Sequence, residues 1–141
     1  LLRNLGTALH VANPGVFADV ANNTLLGDRW GLRATGCGSN TLRVRNVIFV
    51  HHNGTGLSVN NCDPLHQYNL YWDNGADLDA PGGFSSGEIA GDPFFTNPFV
   101  GNFRPLPGSP AIDAGDPVSR RGKVGEANGP GRCSRRPSTR A

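Results

Sequence analysis

Apolar residues along this chain fall in short runs that end on asparagine, glycine or proline, and one such phrase comes round three times. It reads Asn23-Thr24-Leu25-Leu26, then Asn46-Val47-Ile48-Phe49, then Asn69-Leu70-Tyr71-Trp72, with the asparagines 46 − 23 = 23 and 69 − 46 = 23 residues apart. No stretch keeps an apolar i, i+3, i+4 rhythm, so the runs predict strands rather than helices. A repeat of this length, with strands and turns but no helix between them, predicts an all-β parallel solenoid in which each coil stacks on the one before. Like residues then lie over like at the ~4.8 Å strand spacing. Asn23, Asn46 and Asn69 are expected to form a structural ladder of side-chain amides, with Leu25/Ile48/Tyr71 and Leu26/Phe49/Trp72 as adjacent apolar ladders, one facing inward and one outward.

The period can be followed further. Ala8–Val11 and Val16–Val20 are strand candidates on either side of the turn Asn13-Pro14-Gly15, and they read as an earlier coil whose beginning lies upstream. Gly31-Leu32 matches Gly56-Leu57 at a spacing of 25, which places two extra residues in the turn His51-His52-Asn53-Gly54. The same offset puts Cys37 over Cys62, inside the ~4.4–6.8 Å Cα window of a disulfide. In-register side chains point the same way, so a bridge and a pair of stacked thiols are both open readings. After Leu78 the period stops. The chain therefore divides into coils over 1–78, a loop and C-terminal capping segment over 79–117, and a tail over 118–141. Within the capping segment Phe94, Phe95, Phe99, Phe103, Leu106 and Ile112 interrupt a Pro- and Gly-rich background, and they are expected to pack over the open end of the last coil.

Charge separates the tail from the rest. Residues 1–117 hold six Arg and ten acidic groups, whereas 118–141 hold seven Lys/Arg and one Glu, with little that is apolar. The tail reads as a disordered basic segment. Its arginines have no interleaved aromatics, so nucleic acid is not the expected partner. No apolar run approaches the ~20 residues of a membrane helix.

The closing segment carries specific phrases: Asp92-Pro93-Phe94, then Gly101-Asn102-Phe103-Arg104, then the run from Pro107 to Gly115, Pro-Gly-Ser-Pro-Ala-Ile-Asp-Ala-Gly. It resembles the segment that ends many bacterial right-handed parallel β-helix repeat proteins of the pectin-lyase-like superfamily, choice-of-anchor-type surface proteins among them. The resemblance implies a right-handed coil and a fragment of a longer, monomeric protein that is extracellular or at the cell surface. It also implies a polysaccharide or cell-surface glycan as partner. The Arg-rich tail departs from the acidic, Gly-rich ending usual in that family.

The chemistry is less legible than the fold. Asp73, Asp77 and Asp79 lie close together in sequence and resemble the opening of a calcium loop, although Phe84 stands where such a loop places its bidentate Glu. The cofactor expectation is therefore none, or calcium. An outward Tyr71 or Trp72 would offer a sugar-stacking face, and His51-His52 could hold a sugar or a metal, although strand neighbours point to opposite faces. The Asp-Asp and Gly-His-Gly phrases of polygalacturonase-type hydrolases are absent from the chain. Two functions remain open: a non-catalytic structural or carbohydrate-binding surface module, and the C-terminal part of a polysaccharide lyase or glycoside hydrolase whose active residues lie upstream.

Overall fold

The computed structural model describes residues 6–117 apart from 14, 16 and 40. The basic tail and Cys133 lie outside the described residues. Thirteen strands form, together with one 3-10 turn at Pro98–Val100. Three parallel sheets make the walls of a solenoid of about four turns. The first wall stacks β1 (Thr7–Ala12), β4 (Trp30–Thr35), β7 (Thr55–Asn60) and β10 (Ala76–Asp79). The second stacks β2 (Ala18–Ala21), β5 (Leu42–Arg45) and β8 (Leu65–Gln67). The third stacks β3 (Thr24–Leu26), β6 (Ile48–Val50), β9 (Leu70–Trp72) and β11 (Ile89–Ala90). An antiparallel pair, β12 (Phe95–Asn97) and β13 (Asn102–Pro105), follows the last coil.

Corners between walls are built from left-handed residues. Asn22, Asn46 and Tyr68 have φ of 59°, 54° and 55°, and Gly27, His51 and Asp73 have φ of 78°, 58° and 50°. Asn13, Gly36 and Asn61 form the third column, with φ of 43°, 65° and 48°. Glycine meets no steric penalty there, and Asn and Asp reach that region more readily than other side chains. A corner of this kind turns the chain within a residue or two, so each wall begins in step with the one below.

The observed register differs by one residue from the even period of 23. On the third wall Thr24 pairs with Ile48, an offset of 24, and Ile48 pairs with Leu70, an offset of 22. Since 24 + 22 = 46 = 2 × 23, equal asparagine spacing is an average and not a register. The inward ladder is Leu25/Phe49/Tyr71 and the outward one is Leu26/Val50/Trp72, which replaces the sets expected from the period. The two extra residues placed in a single turn are likewise divided. The offset rises from 23 between β1 and β4 to 24 between β2 and β5, then to 25 between β4 and β7. Each of two corners thus takes one.

Asn23, Asn46 and Asn69 consequently do not form one ladder. Ile48 N–H donates to Asn23 O at 2.9 Å, Leu70 N–H to Val47 O at 2.9 Å and Ile89 N–H to Asn69 O at 3.0 Å, so Val47 stands between Asn23 and Asn69. Asn46 belongs to the neighbouring column and donates to the Asn22 side chain at 3.1 Å. Asn69 acts as a corner clip: its Oδ1 accepts from Val47 N–H at 3.0 Å and its Nδ2 donates to Val44 O at 3.1 Å. Asn74 repeats the device one corner later, accepting from His52 N–H and donating to Phe49 O, both at 3.1 Å. Each clip satisfies backbone groups that turn away from the sheet ladder, where an unpaired group would cost ~1–3 kcal/mol.

Leu32, Leu42, Val44, Phe49, Leu57 and Tyr71 are fully buried between the walls. Phe49 and Tyr71 stack with centroids 5.1 Å apart, and Phe84 stacks on Tyr71 at 5.2 Å. A Cβ at Gly56 would come within 3.2 Å of both aromatic side chains and 2.8 Å of Asp77 O, which is why that position carries none. Cys37 and Cys62 are disulfide-bonded, their Cα atoms 4.5 Å apart.

The stack is closed by the loop before β11, not by the 91–116 segment expected to cover it. Ala90 takes the place above Tyr71 in the register, and its small side chain leaves room for the Phe84 ring. Glu88 fixes this loop from beneath. Its carboxylate accepts from Asn69 Nδ2 at 2.7 Å, Ser85 N–H at 2.8 Å and Tyr71 OH at 2.9 Å, and pairs with His66 Nδ1 at 2.9 Å. The 91–116 segment instead turns down the flank. It covers the outward face of the third wall, where Val50 and Trp72 share a hollow with Pro93, Phe95 and Leu106. Its end reaches the second coil, where Asp116 N–H donates to Asn46 Oδ1 at 2.8 Å.

Burial alone would raise the Glu88 pKa, but hydrogen bonds from His66, the Ser85 backbone and Asn69 together hold it below the ordinary carboxylate value. A depressed folded pKa contributes stability that is present above the unfolded value of ~4.3 and is lost as pH falls through the folded one. Denaturant titrations should show stability falling below about pH 4 in step with this group, and Glu88→Ala should cost about 3–5 kcal/mol at pH 7 by leaving His66 and Asn69 buried without their partner.

Candidate functional site

The corner between the third and first walls opens on a cavity of about 530 Å³. It is lined by Leu26, Gly27 and Asp28 of one coil, His51, His52 and Asn53 of the next, and Asp73, Asn74 and Gly75 of the third, with Phe99 from the flank segment. Stacking explains the gathering: Gly27, His51 and Asp73 follow the 24 and 22 offsets of the third wall, as do Asp28, His52 and Asn74. Three turns far apart in sequence thereby become one surface.

His51 Nδ1 lies 2.6 Å from Asp73 Oδ2. The contact uses Nδ1 and leaves Nε2 available for a further hydrogen bond. Phe99 lies against the His51 ring, with centroids 6.5 Å apart and planes 17° from parallel, while 67% of Phe99 remains exposed. His52 points inward and is 1% exposed; its Nε2–H donates to Leu25 O at 3.1 Å. Its Nδ1 has no hydrogen-bond partner. Burial disfavours the imidazolium and lowers the His52 pKa to about 4, although the Leu25 carbonyl and the nearby Asp28 act in the opposite direction. The Asn74 amide is fully used by its corner bonds and by Asp77 Oδ1 at 2.9 Å. The carboxylate of Asp28, the side-chain amide of Asn53 and the second oxygen of Asp73 line the cavity with no side-chain hydrogen bond among the described residues.

The residues singled out from the sequence fare unequally. His51 and Asp73 meet at the cavity. Tyr71 is fully buried in the core, its OH bonded to Glu88, so it offers no sugar-stacking face. Trp72 points outward and is 38% exposed, but it lies in a second hollow of about 460 Å³ beneath the flank segment. That hollow adjoins the cavity, since His51 and Phe99 line both. His52 lines the cavity from a buried position, so the two histidines share a site although only one is accessible. Asp73, Asp77 and Asp79 are not gathered: Asp73 is taken by His51, Asp77 by Asn74 and Asp79 by Ser58 Oγ at 3.3 Å. Among the described residues no group of three His, Cys, Asp or Glu side chains is placed to hold a metal ion. Asn53 and Phe99 are site residues that the sequence reading missed. Asn53 could have been found by carrying the coil register through the corner, whereas Phe99 depends on how the flank segment folds back.

Compared with known proteins, the chain matches no family model, no curated protein and no solved structure. Among the described residues no helix is long and apolar enough to cross a membrane.

A histidine whose folded pKa is depressed stays neutral in the native state while the unfolded chain takes up a proton. Its contribution is present above the unfolded value of ~6.5 and declines as pH falls toward 4. An NMR titration should place the His52 imidazole midpoint near pH 4, with the stability attributable to it falling by about 3 kcal/mol between pH 7 and 4.

Proposed function

We propose that this chain is a carbohydrate-binding β-solenoid module of a secreted or surface-attached protein, and that the cavity at the His51–Asp73 corner is its saccharide site. One observation carries the reading: a cavity of about 530 Å³ in which His51 Nε2, Asp28 and Asn53 have free hydrogen-bonding capacity beside an aromatic ring that is 67% exposed. Sugars bind to this combination because hydroxyls need both donors and acceptors, while their C–H faces pack on aromatic rings. The Cys37–Cys62 disulfide supports an oxidising compartment. The likeness of the Asp92–Gly115 phrases to the ends of bacterial surface β-helices supports the same location. Each corner comes from a different coil, so the site is as rigid as the stack itself, and a ligand binds without ordering a loop.

The reading is tested by isothermal titration of the 141-residue chain with neutral, acidic and amino oligosaccharides of four to six units. Binding of at least one class is expected, and Phe99→Ala should weaken it about 3- to 10-fold, the equivalent of ~0.5–1.5 kcal/mol of aromatic contact. Saccharides that bind equally well to Phe99→Ala and His51→Ala would move the site elsewhere, and no binding by any class would end the proposal.

A further inference from the structure

The open polar groups of the cavity are unbalanced in a way that points to one class of ligand. The Asp28 carboxylate and the free oxygen of Asp73 can only accept hydrogen bonds. His52 Nδ1, on a ring only 1% exposed, also lacks a donor but is itself buried. Among the described residues no Lys or Arg lines the cavity, and Arg29, the cation next to it in sequence, holds its guanidinium over the Trp30 ring at 4.3 Å. A uronate carboxylate would therefore meet two carboxylates and no cation.

Stacking sets the positions of those carboxylates. Asp28 belongs to the first of the three coils and Asp73 to the third, with His51 between them, so they are separated by roughly two strand spacings, or ~10 Å. This spacing lets a saccharide carrying an amine meet one carboxylate while its ring packs on the face of Phe99, which also attracts cations. An ammonium group supplies three donors and no acceptor, the complement of this lining.

We propose that the cavity selects amino sugars with a free amine, such as the units of a de-N-acetylated chitin-type polymer, over their N-acetylated, neutral and acidic counterparts. The proposal rests on the saccharide reading above and narrows it to a ligand class. Asp28 and Asp73 supply the charge, and Phe99 the stacking face.

The test is a calorimetric comparison, at pH 7 and low ionic strength, of glucosamine tetramer, N-acetylglucosamine tetramer, cellotetraose and tetragalacturonate. The free-amine tetramer should bind at least 10-fold more tightly than the N-acetylated one, and the preference should shrink at high salt as charges are screened. Asp28→Asn keeps a residue that tolerates the left-handed corner and should remove most of the preference; Asp73→Asn should reduce it further. Equal binding of the free and acetylated tetramers would overturn the amine preference while leaving the saccharide site standing. A preference that survives both substitutions would overturn the assignment of Asp28 and Asp73. Failure of all four tetramers to bind would overturn the site reading itself. General attraction does not explain the expected result, because the whole chain carries a net charge of +2.

Discussion

Everything in this molecule depends on coil-to-coil backbone hydrogen bonding, which tolerates no drift in register along a wall. Each strand is satisfied by the coil below and satisfies the coil above, so any difference in coil length must be absorbed at a corner. The offsets show this directly: 23 and 24 from the first coil into the second, 25 and 22 from the second into the third, then 21 and 19 from the third into the fourth. Corners can absorb a residue because they are made of Asn, Asp, Gly and an occasional His or Tyr in the left-handed region. The same corners collect polar side chains from successive coils in one place. The cavity is therefore a by-product of the device that keeps the walls in step.

That constraint also explains how the solenoid ends. An open coil exposes a row of unpaired backbone groups and the top of an aromatic stack. Here the chain makes a two-residue strand, Ile89–Ala90, on the last wall and folds the preceding loop over Tyr71 with Phe84. Glu88 is the anchor. A carboxylate buried without partners would be prohibitively costly, but with Asn69, Tyr71, Ser85 and His66 around it every lone pair has a donor. The Pro-rich segment that follows is then free to cover the apolar outer ladder of Val50 and Trp72 and to bring Phe99 to the corner.

Much of the fold was legible in the sequence. Repeated strand phrases, left-handed turn residues and the absence of helical periodicity led to a parallel solenoid, and the 25-residue offset placed Cys37 over Cys62 without deciding that they are bonded. Register was less legible, because an even spacing of asparagines concealed offsets of 24 and 22. Correcting it by one residue exchanged the partners of Tyr71 and placed Asn46 in a different column from Asn23 and Asn69. Glu88 was hidden for a different reason: a single acidic residue in a Gly- and Ser-rich loop carries no local sign of burial. Its role exists only once Tyr71, Asn69 and His66 converge beneath it. The site was half visible, as His51 and Asp73, and half created by the turns of neighbouring coils.

The observation that tests this account most directly is the set of ring-to-ring contacts of Tyr71 in a NOESY spectrum of the folded chain. The register described here predicts cross-peaks from the Tyr71 ring to the rings of both Phe49 and Phe84, with Trp72 showing contacts to Val50. Contacts from Tyr71 to Ile48 and from Trp72 to Phe49, with none to Phe84, would contradict it.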